Sequence, residues 1–305
     1  MKHFLSIKDV SAAEMKQIFD LSAEVKKNPQ KYAHALAGKT LAMIFQKSST
    51  RTRVSFEVGM YQLGGHALFL SANDIQIGRG ETIADTARVL SRMVDMIMAR
   101  VFGHDVVEDL ARFGNVPVIN GLSDFSHPCQ AVADYFTLLE KWGSLKGRKI
   151  AYVGDGNNVC HSLLYGAAIL GMHITVGAPE GYKPADGVVE WSKHTASQSG
   201  GSVSIFTDPN EAVRDADCIY TDVWASMGQE KEYDERKAVF GRYQVNRQLF
   251  SLAKKDAVFL HCLPAHRGDE VTDDVIDSLN SDVWNEAENR LHTQKALLLI
   301  LSSKV

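Results

Sequence analysis

The sequence predicts an α/β protein of two domains, each a mainly parallel sheet flanked by helices, joined by long interdomain helices. Three observations carry this expectation. Short apolar runs alternate with longer helical segments along the whole chain, the pattern of βα units. At 305 residues the chain is too long for one compact core, so domains of roughly 150 residues each are expected. The alternation also restarts after the glycine-bounded stretch Gly143-Ser-Leu-Lys-Gly147, which places the domains at 1–145 and 146–285. Residues 286–305 are then a C-terminal helix packing back on the first domain.

The elements follow in order. Ser11-Ala-Ala-Glu14 is a capping box opening a helix that runs to about Lys27. Residues 41–45 form a short apolar strand. A helix is expected over about 52–63, with Val54, Val58 and Tyr61 on one face and Gly64-Gly65 as its stop. A strand at 67–70, a polar loop, a helix near 82–93 and a strand at 96–99 come next. After the run 116–119 a loop leads to a long helix over about 128–142. The second domain repeats the scheme, with a strand at 149–153, a helix at 158–170 and a strand at 173–176. Further strands are read at 202–206, 218–220 and 257–260, before a last helix over about 286–301.

Composition narrows the function classes. With 45% hydrophobic and 23% charged residues the chain is globular rather than disordered or fibrous. A net charge of −4 leaves no footprint of nucleic-acid binding, although a local arginine cluster can still serve an anionic substrate. Cys129, Cys160, Cys218 and Cys262 are widely spaced, so neither a zinc site nor a disulfide framework is expected. No signal peptide is read, and the apolar run 296–301 is too short to span a bilayer. A cytoplasmic enzyme without membrane or nucleic-acid partners is the expectation.

Ser48-Ser-Thr-Arg-Thr-Arg53 lies between a strand and a helix, where backbone N–H groups and the helix dipole make an anion site. Ser49, Thr50 and Thr52 add hydroxyls, and Arg51 suits bidentate contact with a phosphate. A plain N-cap with two surface arginines has the same composition. His127-Pro-Cys-Gln130 stands before the long helix: the imidazole can donate to an oxygen gaining charge, and Gln130 can accept from an amide, though histidines at helix starts are commonly structural. Arg100 ends a strand, and His261-Cys-Leu-Pro264 follows another. In open α/β sheets ligands gather beyond such carboxyl ends.

Gly154-Asp-Gly-Asn-Asn158 also joins a strand to a helix, but it lacks the third glycine of a dinucleotide fingerprint. Its asparagines suit a ligand with both donors and acceptors, such as an amino acid. Asp222-Val-Trp-Ala-Ser-Met-Gly228 offers a carboxylate for a cationic amine, followed by a Ser-Met-Gly stretch suited to a mobile loop.

Taken together, Ser49-Thr-Arg-Thr-Arg53, His127-Pro-Cys-Gln130 and His261-Cys-Leu-Pro264 resemble the carbamoyltransferase family. Asp155-Gly-Asn-Asn158 and Asp222-Val-Trp-Ala-Ser-Met-Gly-Gln229 resemble its ornithine branch, and the likeness runs from about Leu41 to Lys295. The resemblance implies a carbamoyl phosphate-binding first domain and an ornithine-binding second one. It assigns the phosphate to Ser49, Thr50, Arg51 and Thr52, with Arg100 bridging phosphate and carbonyl oxygen. His127 and Thr52 polarise that carbonyl, Gln130 and the backbone of Cys262-Leu263 orient the NH2, and Arg290 returns to the same pocket. Asn158, Asp222, Ser226 and Met227 hold ornithine's α-amino and α-carboxylate groups, with Cys262 near its δ-amine. The resemblance further implies a homotrimer, or a multiple of trimers, in which Gln76 reaches into a neighbour's site.

No metal or other cofactor is expected, because preorganised positive donors can carry the oxyanion of such a transfer. Transfer to aspartate, putrescine or an acylated ornithine would use the same first half. Asp222 and the Ser-Met-Gly loop favour a cationic acceptor over aspartate. A nucleotide-binding dehydrogenase and a non-catalytic paralogue are the readings from other classes.

Overall fold

The computed structural model describes residues 1–72, 80–225 and 232–302. The chain packs as two compact units, Met1–Phe136 with the chain from Glu288 onward, and Thr137–Ala287.

The first unit opens with α1 (Ala12–Lys27). The Ser11 side chain accepts from the Glu14 N–H, and the Glu14 carboxylate accepts from the Ser11 backbone, a closed capping box. Then come β1 (Thr40–Phe45), α2 (Thr50–Gln62), β2 (His66–Ser71), α3 (Ile83–Leu90), β3 (Met96–Arg100), α4 (His104–Phe113), β4 (Val118–Leu122) and α5 (Pro128–Trp142). The strands are parallel in the order β2-β1-β3-β4. β1 and β3 are central and covered on both faces, which is why they read as unbroken apolar runs. Their crossovers depart in opposite directions, β1 towards β2 and β3 towards β4. The crevice past the ends of β1 and β3 is therefore the switch point of the sheet.

Two readings need correction. The face of α2 carrying Val54 and Tyr61 points outward, the two residues being 52% and 81% exposed. The buried face is instead Thr52, Ser55, Phe56, Gly59 and Met60, polar or small at several positions. Gly59 explains part of this: a β-carbon there would lie 3.4 Å from Lys295 Cγ and 3.7 Å from Leu291 Cδ1, on the last helix of the chain. Also absent from the expected elements are α4, although Val107 and Leu110 form its buried stripe, and the 14-residue helix Asp186–Ser199 of the second unit. The N-cap of α4 is Gly103, which supplies no side-chain hydrogen bond and so no capping signal.

The second unit contains β5 (Lys149–Val153), α6 (Asn158–Leu170), β6 (His173–Gly177), α7 (Asp186–Ser199), β7 (Ser202–Phe206), α8 (Pro209–Val213) and β8 (Cys218–Thr221). These are followed by α9 (Tyr233–Phe240), α10 (Arg247–Phe250), β9 (Val258–His261) and α11 (Asp273–Ile276). Its parallel sheet runs β7-β6-β5-β8-β9, with the switch point between β5 and β8. The division between the units falls within α5 and within α12 (Val283–Ser302). Among the described residues no helix is long and apolar enough to cross a membrane.

Candidate active site

In the first unit the switch point gathers the polar residues that the sequence singled out. Ser49 is the N-cap of α2: its hydroxyl accepts from the Thr52 N–H at 3.2 Å and donates to Thr52 Oγ1 at 3.1 Å. Thr50 is exposed and Arg51 half-buried on the first turn, so backbone donors and a guanidinium sit at the positive end of the helix. Arg100, the last residue of β3, donates through Nη1 to Thr52 Oγ1 at 3.3 Å. From α12, Arg290 Nη2 reaches the same oxygen at 3.4 Å, and its Nη1 donates to Gln130 Oε1 at 2.5 Å. Gln130 in turn donates to Asp134 Oδ1 at 2.7 Å, one turn further along α5. Thr52, Arg100, His127, Gln130 and Arg290 are all buried. Two buried guanidinium groups on one hydroxyl mark a locus built to receive negative charge.

His127 precedes Pro128, which starts α5 without needing a backbone N–H there. Burial pushes the imidazole well below its ordinary value, and the charges of Arg290, Arg100 and Arg51 push it the same way. At neutral pH the ring is therefore a neutral hydrogen-bond donor. Of the two protonation states left open by the sequence, the site selects the uncharged one. Because the folded value lies below the unfolded 6.5, protonation favours unfolding. Stability from this residue is present above pH 6.5 and lost as the pH falls. Between pH 7 and 5 the wild type should thus lose stability relative to His127→Asn, with a limiting slope of about 1.4 kcal/mol per pH unit. Parallel denaturation curves for the two proteins across that range would contradict it. Cys129, beside it, donates its thiol to the Asn120 carbonyl, and burial pushes the thiol up to about 12, so it is a packing residue.

In the second unit, Asp222 follows β8. Its Oδ1 accepts from the Val223 N–H at 2.8 Å and from Cys262 Sγ at 2.9 Å, and its Oδ2 accepts from Asn157 Nδ2 at 2.8 Å. Among the described residues, three donors thus converge on this one carboxylate. Asn158 is half-buried at the first position of α6. Cys262 and Leu263 follow β9, and Leu263 takes a left-handed backbone with φ of 56°. That conformation is unfavourable for a branched residue. It is held by His261, whose Nδ1 accepts from the Leu263 N–H at 2.9 Å. His261 Nε2 must then carry the proton, and it faces Glu270 Oε1 at 3.1 Å.

Asp222, His261 and Cys262 bring potential metal-ligating atoms within 4.8 Å of one another. Both ring nitrogens of His261 are already engaged and Asp222 Oδ1 holds the thiol, which leaves a poor donor set for an ion. The glycine turn is likewise committed. A β-carbon on Gly156 would meet Pro184 N at 2.1 Å, and its N–H donates to Tyr182 O at 2.8 Å. Protein backbone covers the place where a dinucleotide phosphate approaches in a complete fingerprint.

The structure thus groups Ser49, Thr50, Arg51, Thr52, Arg100, His127, Gln130 and Arg290 in one unit, and Asn158, Asp222, Cys262 and Leu263 in the other. Gln76, Ser226 and Met227 lie outside the described residues. Sequence reasoning missed Asp134 and Arg236, and read Asn157 only as one of a pair of asparagines suited to an amino acid. Arg236 is buried and donates from Nη1 to Asp155 Oδ2 at 2.8 Å and to Trp224 O at 2.9 Å, fastening the loops after β5 and β8. Burial raises the Asp155 carboxyl above its ordinary value, and Arg236 opposes that rise without cancelling it.

Comparison with known proteins places this geometry. Residues 2–140 match the family described as aspartate/ornithine carbamoyltransferase, carbamoyl-P binding domain, and residues 146–301 match the corresponding Asp/Orn binding domain. The chain is 66% identical over 266 residues to the ornithine carbamoyltransferase of Pyrococcus horikoshii, covering 87% of this chain and 84% of that one. It is 60% identical over 303 residues to the anabolic ornithine carbamoyltransferase of Pyrococcus furiosus, covering 98% and 96%. A solved structure of ornithine carbamoyltransferase from Pyrococcus furiosus superposes with a TM-score of 0.96 at 59% identity, over 100% of this chain and 98% of that one.

Proposed function

The chain belongs to the aspartate/ornithine carbamoyltransferase family, and we propose that it transfers the carbamoyl group of carbamoyl phosphate to the δ-amine of L-ornithine, giving L-citrulline and phosphate. The observation that carries the choice of acceptor is Asp222, a carboxylate held by three described donors at the end of β8, which suits it to meet a cationic amine. The ornithine carbamoyltransferases to which the chain is similar support the same acceptor.

The chemistry assigned to the first unit is charge stabilisation. The phosphate sits on the N-terminus of α2 with Ser49, Thr50, Arg51 and Thr52, and Arg100 spans phosphate and carbonyl oxygen. The δ-nitrogen attacks the carbonyl carbon and a C–N bond forms. The C–O bond to phosphate breaks, phosphate departs with the electron pair, and the proton that the amine gives up passes to that phosphate. The oxyanion that develops is met by Arg100, the Thr52 hydroxyl and neutral His127, donors fixed before the reaction begins. Gln130, whose Oε1 accepts from Arg290, is assigned to orient the carbamoyl NH2. In the second unit Asn158, Asp222, Ser226 and Met227 are assigned to the amino acid, with Cys262 beside its δ-amine. Asp222 and Cys262 tune proton loss from that amine. Cys262 needs no covalent role, because direct transfer forms no acyl-enzyme.

Calorimetry tests the first half. Carbamoyl phosphate should bind without ornithine present, and NAD should not bind. Binding of NAD alone would overturn the reading in favour of a nucleotide enzyme.

We also assign the chain to a homotrimer, or a multiple of trimers, in the cytoplasm. What supports assembly is the exposure of large apolar side chains on the first unit, Leu68 and Phe69 of edge strand β2 and Val54 and Tyr61 of α2. Sedimentation should give a trimer or its multiple, and Leu68→Asp should shift it to smaller species. A wild-type monomer with full turnover would contradict the assignment.

A further inference from the structure

We propose that Asn157 is a positioning residue for the acceptor half of the reaction, holding Asp222 and the start of α6 in register through one side chain. The inference rests on the ornithine reading above. Asn157 is the N-cap of α6: its Oδ1 accepts from the Val159 N–H at 3.0 Å and the Cys160 N–H at 3.2 Å. The Tyr152 hydroxyl lies 3.3 Å from the same oxygen and 2.8 Å from the Asp155 carbonyl. With donors surrounding Oδ1, the amide has one orientation, and its NH2 is aimed at Asp222 Oδ2, 2.8 Å away.

Capping alone does not require asparagine. Serine, threonine and aspartate supply the acceptor as well, but aspartate has no donor, and a serine or threonine hydroxyl is a single atom that cannot cap α6 and also occupy the place of Nδ2 beside Asp222. Each side of the amide therefore has its own task. Oδ1 fixes the first turn of α6, where Asn158 sits, and Nδ2 fixes the carboxylate after β8. These are the ends of β5 and β8, which flank the switch point of the second sheet. The spacing between the two candidate ornithine contacts, Asn158 and Asp222, is set by a residue assigned no contact with substrate.

The test separates positioning from capping. Asn157→Ser and Asn157→Asp both keep a capping oxygen. Serine takes away the atom that reaches Asp222, and aspartate sets a second carboxylate against it. Both variants should melt close to the wild type and bind carbamoyl phosphate as it does. Each should lose about ten- to a hundredfold in kcat/KM for ornithine, the usual scale for losing a hydrogen bond to a charged group. Wild-type ornithine kinetics in both variants would overturn the proposal, as would an equal loss of carbamoyl phosphate affinity. Wild-type enzyme run beside them keeps the two readings apart: if it makes no citrulline, the ornithine reading has failed. Active wild type with unaffected variants fails the inference alone.

Discussion

Arg100→Ala is expected to lower kcat/KM for carbamoyl phosphate by roughly 10²–10³-fold, the cost of removing one preorganised donor from a developing oxyanion. The guanidinium is buried at the end of a central strand, so it is held where a flexible surface arginine is not. It also donates to Thr52 Oγ1, and its loss leaves that hydroxyl oriented by Ser49 and Arg290 alone among the described contacts. The effect should therefore appear in binding and in turnover together. Arg100→Lys keeps a charge but not the planar fork, and should recover affinity only in part. Calorimetry with carbamoyl phosphate and steady-state kinetics on the two variants decide the matter. Undiminished affinity in the alanine variant would remove Arg100 from the anion site.

The second large effect is expected at Asp222. Substitution by asparagine preserves shape but removes the charge that an amine would meet. It also creates a conflict that geometry makes unavoidable. Every described partner of this carboxylate is a donor: Val223 N–H, Cys262 Sγ and Asn157 Nδ2. Whichever way the new amide turns, its NH2 faces another donor, and an unsatisfied buried group costs about 1–3 kcal/mol. Together with the lost charge this should reduce kcat/KM for ornithine by about a hundredfold or more. Affinity for carbamoyl phosphate, held by the other unit, should stay near wild type. Equal damage to both substrates would make Asp222 a structural residue.

These two residues were legible in the sequence for one physical reason. In a parallel sheet the carboxyl ends of strands at the switch point are where a ligand fits, and the strands that supply Arg100 and Asp222 are short apolar runs with polar residues at their ends. The same rule found Ser49–Thr52 and Cys262. Legibility failed where burial and hydrophobicity part company. The α2 stripe of Val54 and Tyr61 is apolar yet exposed, while Thr52 is buried because it faces Arg100 and Arg290 of α12. Arg236 stands 81 residues from Asp155 in the chain, in no motif, and only the folded loops bring them together. Asn157 was visible as half of an asparagine pair, but its partner Asp222 is 65 residues away, so its separate role emerges from the fold.

The most direct test of the central claim is citrulline formation by the purified full-length protein given carbamoyl phosphate and L-ornithine, run beside aspartate, putrescine and N-acetylornithine. Turnover with ornithine, and none with the other three, is the predicted result. Turnover with one of the other amines in place of ornithine would contradict the account. It would leave the anion site of the first unit standing and overturn the acceptor roles of Asn158 and Asp222.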